Sequence, residues 1–161
     1  MNSLRSYREF IKDVLNINKF AVLATEGDDQ PHTSLIAITP LRSCRQLVFA
    51  TYRNTLKYRN IKHNSKVAVL IDSGDINNRC LHKSKVLTII GHTEEISIAE
   101  NEAIYEAHLK WHPELESFML SPDCALILVI AQSYQVVNGI DDIRWITAND
   151  LNAISPDPLK Y

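Results

Sequence analysis

The 161-residue sequence has no Asp or Glu between Gln30 and Ile71, only three cysteines, and no apolar run longer than Ala125 to Ala131. A seven-residue run is strand-sized and far below the ~20 residues needed to cross a bilayer. Arg5, Arg8, Glu9, Lys12 and Asp13 stand where a signal peptide would need its apolar segment. Cys44, Cys80 and Cys124 are odd in number and widely spaced, which argues against a disulfide framework or a zinc site and for a reducing compartment. The sequence shows no internal repeat and no low-complexity tract. A cytoplasmic protein without membrane contact is expected.

What is present is ordinary for a globular chain: 45% apolar and 22% charged residues. The length predicts one domain, residues 1–161, with a real core. The net charge of −2 conceals an uneven distribution. Arg42, Arg45, Arg53, Lys57, Arg59, Lys62 and Lys66 fall inside the acid-free segment, seven of the 17 basic residues against none of the 19 acidic ones. Such a block suggests an anion held at one place or a nucleic-acid face. It lacks interleaved aromatics expected to be exposed apart from Tyr52 and Tyr58, and the whole chain is negative, so no nucleic-acid partner is expected.

Leu4, Tyr7, Ile11, Val14 and Leu15 recur with helical period and predict a first helix over 3–16, capped by Ser3 or by Ser6 with Glu9. Phe20–Thr25 and Thr33–Thr39 read as a hairpin across the turn Gly27-Asp28-Asp29-Gln30, and Leu47–Thr51 as a third strand. Thr55–Asn64 predicts a short helix with Leu56, Asn60 and Ile61 inward. Val67–Ile71 and Val86–Ile90 read as strands, with Gly91 allowing a bend or bulge. Asp72–Lys83 is the expected mobile loop. A second long helix is expected from Ser97 or Ile98 to Lys110, broken at Trp111-His112-Pro113-Glu114, with a further helical piece over Glu114–Leu120. Strands follow at Ala125–Ala131, Tyr134–Asn138 and Ile143–Thr147, then a loose tail from about 152 to 161. Strands in hairpin order, without βα alternation, predict a mainly β, α+β fold: an antiparallel barrel with flanking helices.

The sharpest feature runs from Phe49 to Ile61. A strand ends in Thr51, a loop follows, and a helix opens at Thr55 with Lys57 in its first turn and Arg53 and Arg59 on either side. A helix N-terminus carries unpaired N–H groups and welcomes an anion. Cations there oppose the macrodipole by roughly a few tenths of a kcal/mol each. A phosphate at the helix end accounts for that placement, with Thr51 and Thr55 as further hydroxyl donors. The six histidines show no zinc-protease spacing; His108 and His112, four apart, are the one useful pair, and surface or packing roles are expected for them. No Ser-His-Asp or Cys-His arrangement stands out, so no catalytic side chain is named and no metal is expected.

In order along the chain, the hairpin with Pro31, Phe49-x-Thr51, Thr55-x-Lys57-x-x-Asn60-Ile61 and the strand after Asn64-Ser65-Lys66 resemble the pyridoxamine 5′-phosphate oxidase-like, FMN-binding split-barrel superfamily, over about Phe10 to Ile146. The resemblance implies a six-stranded split β-barrel and a homodimer with FMN in clefts at the subunit interface. It implies that Ser34, Leu35 and Ile36 lie along the isoalloxazine ring, largely through backbone groups. It further implies that Ala50 and Thr51 flank the flavin and ribityl chain, and that Thr55 and Lys57 hold the phosphate. Where the oxidase has Arg, Lys and Arg, this chain has Ser34, Thr39 and Leu56. The pyridoxamine phosphate-binding residues have no counterparts, so vitamin B6 oxidation is not expected.

His112-Pro113-Glu114, Asp123-Cys124-Ala125-Leu126, Val137-Asn138-Gly139-Ile140 and Arg144-Trp145-Ile146 resemble the haem-utilisation branch of that superfamily. The branch's iron-binding histidine has no counterpart after His112. The resemblance thus implies an FMN-dependent oxidoreductase acting on a small molecule. Haem binding or degradation, and a non-catalytic flavin carrier or sensor, are the alternatives.

Overall fold

The computed structural model describes residues 4–41, 44–73, 85–139 and 142–152. Eight strands form one sheet: β1 (Phe20–Gly27), β2 (Gln30–Ala37), β3 (Thr39–Leu41), β4 (Gln46–Tyr52), β5 (Lys66–Asp72), β6 (Lys85–Ile96), β7 (Cys124–Asn138) and β8 (Ile143–Thr147). Their order is β2-β1-β5-β6-β7-β4-β3, with β8 added to β7, and every pairing is antiparallel. The two ends of that path, β2 and β3, are consecutive in the chain and meet at Ile38. One bent strand therefore serves both edges, and the sheet rolls into the expected six-stranded split barrel, with β8 as an appendage.

Alternation decides which side chains fill the barrel. Along β5, Val67, Val69 and Ile71 are buried while Lys66, Leu70 and Asp72 are exposed. Leu23, Ile38, Phe49, Val69, Leu87, Ile89 and Ile127 are fully buried in the same core, each contributing roughly 1.5–3 kcal/mol by burial. Helix α1 (Leu4–Ile17) closes one side with Ile11, Val14 and Leu15. Ser6 lies within this helix, so it does not cap it with Glu9; Ser3 lies outside the described residues.

A second cluster packs on the outside of β4 and β7. Val48, Met119, Cys124 and Leu126 meet α3 (Glu102–Trp111), a 3₁₀ turn (Pro113–Leu115) and α4 (Glu116–Met119). Helix α3 starts later than expected, after Asn101, because residues 97–101 form the corner that carries the chain off β6.

The expected pair Ala125–Ala131 and Tyr134–Asn138 is one fifteen-residue strand. The register against β6 shifts between Ile90 and Gly91, with Gln132 as the extra residue. The bulge falls where Gly91 permits it: a Cβ there would collide with the Ile130 carbonyl. A fifth helix, α5 (Ala148–Asn152), follows β8. The sequence reading missed it because one turn is too short to show a period. The expected mobile loop and tail fall almost wholly outside the described residues.

One outer face of the barrel is apolar. Val22 on β1 faces Leu35 on β2 and Leu70 on β5; the row continues through Thr88 and Gln135 to Trp145. Phe20 and Ile143 flank it. Exposures of 69% for Leu35, 61% for Trp145, 52% for Phe20 and 51% for Ile143 are high for side chains of this size.

Candidate functional site

Helix α2 (Leu56–His63) sits at one end of the barrel, against β1 and β2. Two asparagines hook it there. Asn60 Nδ2 donates to Thr25 Oγ1 at 3.1 Å, and Asn64 Nδ2 donates to Glu26 Oε2 at 2.7 Å. Asn60 is buried and lies so close to Gly27 that a Cβ there would overlap its side-chain amide. Ile61 adds the apolar contact. Leu56, expected inward, is 44% exposed, because the first turn projects beyond the barrel wall.

Thr55 caps the helix. Its Oγ1 accepts from the Tyr58 amide at 3.4 Å and donates to the Tyr52 carbonyl at 2.8 Å. Thr51 Oγ1 lies 3.1 Å from Thr55 Oγ1. Since the Thr55 proton is already committed, Thr51 is the donor of that bond. Both hydroxyl protons are therefore spent within the chain, and the donors left at this helix end are the backbone amides of Leu56 and Lys57, which have no intrahelical acceptor.

Lys57 is half-buried, and burial pushes its ammonium down from the ordinary lysine value. Among the described residues it forms no ion pair. A partly desolvated cation beside free amides, without a counter-charge, is an incomplete electrostatic arrangement that an anion completes.

Arg53 is arranged differently. Its Nη1 donates to the carbonyls of Pro122 (3.1 Å) and Cys124 (3.0 Å), and its Nη2 pairs with Glu95 at 2.7 Å. Glu95 also accepts from the Tyr58 hydroxyl at 2.8 Å and from Lys62 at 3.3 Å. Partial burial raises the Glu95 carboxyl, but those three donors outweigh it and hold the group below its ordinary range. Arg53 is thus a strut between β7 and β6, not a flank of the helix-end site. Glu95 is the hub that sequence reasoning missed; the acid-free block required a counter-charge from elsewhere, but nothing local said which.

The residues expected around the ring separate by strand alternation. Leu35 points outward, Ile36 is buried in the barrel core, and Ser34 shares that inner face. Ser34 Oγ is a buried polar atom with no partner in the chain, as is His32 Nδ1 two residues earlier on the same face. Ala50 packs against the outer cluster while Thr51 is buried on the opposite face of β4. Thr51, Thr55 and Lys57 come together at the helix end; Leu35 and Ala50 present their side chains elsewhere.

His108 and His112 are both fully buried, so a surface role is excluded and the packing role remains. They lock the bend between β2 and β3. His108 Nδ1 lies 2.8 Å from Thr39 Oγ1 and His112 Nε2 lies 2.9 Å from the Ile38 carbonyl, with ring centroids 5.0 Å apart. Thr39, where the family resemblance would put a lysine, is thus occupied with a histidine. Burial, then the neighbouring His112 ring, push His108 down to about 4, with Glu114 acting weakly the other way. No group of three metal-ligating side chains forms among the described residues. No described helix is long and apolar enough to cross a membrane.

Comparison with known proteins places this geometry. The family profile of pyridoxamine 5′-phosphate oxidase matches residues 7–137. No curated protein matches the sequence. A heme-binding protein of Mycobacterium smegmatis is similar in structure (TM-score 0.82, 19% identity), over 95% of this chain and 61% of its own. Campylobacter jejuni ChuZ is similar over 100% of this chain and 68% of its own (TM-score 0.81, 12% identity). A FAD-binding protein of Mesorhizobium loti is similar over 78% and 90% respectively (TM-score 0.65, 14% identity). This chain therefore spans about 61% of the length of the M. smegmatis protein. At these identities the structural likenesses speak for the fold, and with the profile match over most of its length the chain belongs to the pyridoxamine 5′-phosphate oxidase-like family.

Proposed function

We propose that this protein binds FMN at the α2 end of the barrel and acts, as a homodimer, as an oxidoreductase on a small molecule. The observation that carries the reading is Lys57: half-buried, unpaired among the described residues, and next to the free amides of a helix N-terminus. A flavin phosphate supplies the missing counter-charge. Ser34 Oγ, buried and unpartnered, adds a hydrogen-bonding group for the polar part of the same ligand. Ile36 and Ala50 contribute backbone only in this reading. When bound, FMN supplies the hydride and electron chemistry, and the chain supplies position and electrostatics. Cys44 and Cys124 do not compete as nucleophiles, since burial pushes their thiols up.

The dimer reading rests on the apolar row Leu35–Val22–Leu70 with Trp145 at its far end, a face that association would cover. A single domain and a cytoplasmic location go with it; Cys44 and Cys124 are free thiols, as a reducing compartment requires.

The test is the absorption spectrum of the purified protein with and without added FMN, together with its mass in solution. Saturation at one FMN per subunit in a dimer is the expected result; a colourless protein that ignores FMN overturns it. Lys57→Met is expected to weaken FMN at least about tenfold, as loss of a charge-assisted phosphate contact should. An equilibrium titration followed by flavin fluorescence measures it. An unchanged Kd would mean that Lys57 does not meet the phosphate.

Haem binding is the second reading, favoured by the likeness to the heme-binding protein of M. smegmatis. His108 and His112 are committed to the β2–β3 bend, so iron would need another ligand. Haem titration, read as a Soret band, separates the two.

A further inference from the structure

Beside α2, and distinct from the helix-end site, lies a cavity of about 700 Å³. Its lining is mixed: Ile96 and Leu126 from the outer faces of β6 and β7, Ile98 from the corner after β6, Tyr105 from α3 and Met119 from α4 make the apolar part, and Ser97 and Ser121 add polar surface. All five residues of the apolar part belong to, or pack against, the second hydrophobic cluster. One end is charged, with Arg53, Lys62 and Glu95. We propose that this cavity is a second binding site, for a small aromatic or aliphatic molecule that carries a single carboxylate.

Three observations lead to that ligand class. The volume falls within the range of small-molecule sites, roughly 300–1,000 Å³. The charged end is unbalanced, with two cations sharing the one carboxylate of Glu95, so one further anion makes it neutral. Arg53 is also held rigidly. Both Nη1 hydrogens go to the carbonyls of Pro122 and Cys124, and one Nη2 hydrogen goes to Glu95. A guanidinium has five N–H donors, so two remain on a group already fixed in place. Lys62, whose side chain is 55% exposed and 3.3 Å from Glu95, can turn to a newcomer at little cost. A preorganised guanidinium and a mobile ammonium, above an apolar floor that includes Leu126, suit a carboxylate with a hydrophobic body. A phosphate without such a body would leave that floor wetted.

The proposal does not rest on the flavin reading, because Lys57 lines no part of the cavity. Calorimetric titration with 2-naphthoate tests it, with 2-naphthalenemethanol as the uncharged comparison and inorganic phosphate as the body-less one. One 2-naphthoate per chain is expected, with the alcohol and phosphate at least about tenfold weaker. Ile98→Trp, which fills the cavity, should weaken 2-naphthoate at least tenfold, and Lys62→Met severalfold. Both variants should keep wild-type FMN affinity, whereas Lys57→Met should leave 2-naphthoate binding intact. Trp145→Ser controls for adsorption on the outer sheet face. Absence of saturable binding at millimolar 2-naphthoate overturns the proposal. So does binding that survives Ile98→Trp, and so does binding that is lost with Trp145→Ser. Equal binding of acid and alcohol would overturn the role given to Arg53 and Lys62.

Discussion

Lowering the pH from about 6.5 to about 4 is expected to remove about 3 kcal/mol of folding stability through His108 alone. The sign follows from its surroundings. In the folded chain the imidazole is fully buried, with Nδ1 against Thr39 Oγ1 and Nε2 without a partner, and its proton affinity is depressed to about 4. In the unfolded chain it titrates near its ordinary 6.5. Between those values the unfolded state binds the proton and the folded state resists it, so each pH unit of acidification costs the fold about 1.4 kcal/mol. Above 6.5 the contribution is fully present; below 4 nothing further is lost from this group. Urea unfolding at fixed intervals across that range should show the midpoint falling. His108→Asn, which keeps a polar atom near Thr39 and removes the titration, should flatten that part of the profile. A wild-type profile already flat from 6.5 to 4 would mean that the ring is not buried as described.

The second large effect concerns the outer sheet face. Leu35→Glu combined with Leu70→Glu should convert the proposed dimer into monomer, with an association constant lowered at least about 100-fold. Two carboxylates would stand on either side of Val22 in the row Leu35–Val22–Leu70, and a two-fold contact would bring four together. Desolvating even one unpaired charge at the centre of an interface costs several kcal/mol. Sedimentation velocity reads the result, and the monomer should keep its circular dichroism because both positions face away from the barrel core. If the clefts lie at the subunit interface, FMN affinity falls with the dimer. A double variant that stays dimeric would mean that association uses another surface.

How much of this was legible beforehand differs from element to element. Strands β1, β4 and β5 were readable because each is an apolar run closed by turn or polar residues, and α1 because five apolar residues hold one helical face. The start of α2 was readable because Thr55 caps it locally, within one turn. The unbroken β7 was not, because Gln132 and Ser133 interrupt the apolar pattern and their continuity is supplied by β6, some forty residues away in sequence. The burial of His108 and His112 was hidden for a similar reason. Their partners, Thr39 and the Ile38 carbonyl, lie about seventy residues earlier, and a lone sequence carries no sign of that meeting. The commitment of Arg53 to Glu95 and to two carbonyls was equally non-local, which is why Arg53 read as a flank of the helix end and stands instead as a strut between β7 and β6.

The long strand β7 has a consequence for how the molecule breathes. It is laddered to β6 along one edge and to β4, then β8, along the other. Ala125, Leu126, Ile127 and Val129 at its centre are almost wholly shielded from solvent. Detaching any one neighbour leaves β7 held by the others, so its amides exchange with solvent only when the whole barrel opens. The hairpin β1–β2 joins that centre through β5 and the β2–β3 bend, and helix α2 is tied to β6 through Tyr58 and Lys62 on Glu95. Hydrogen exchange at the centre of β7 therefore reads the global unfolding of the barrel.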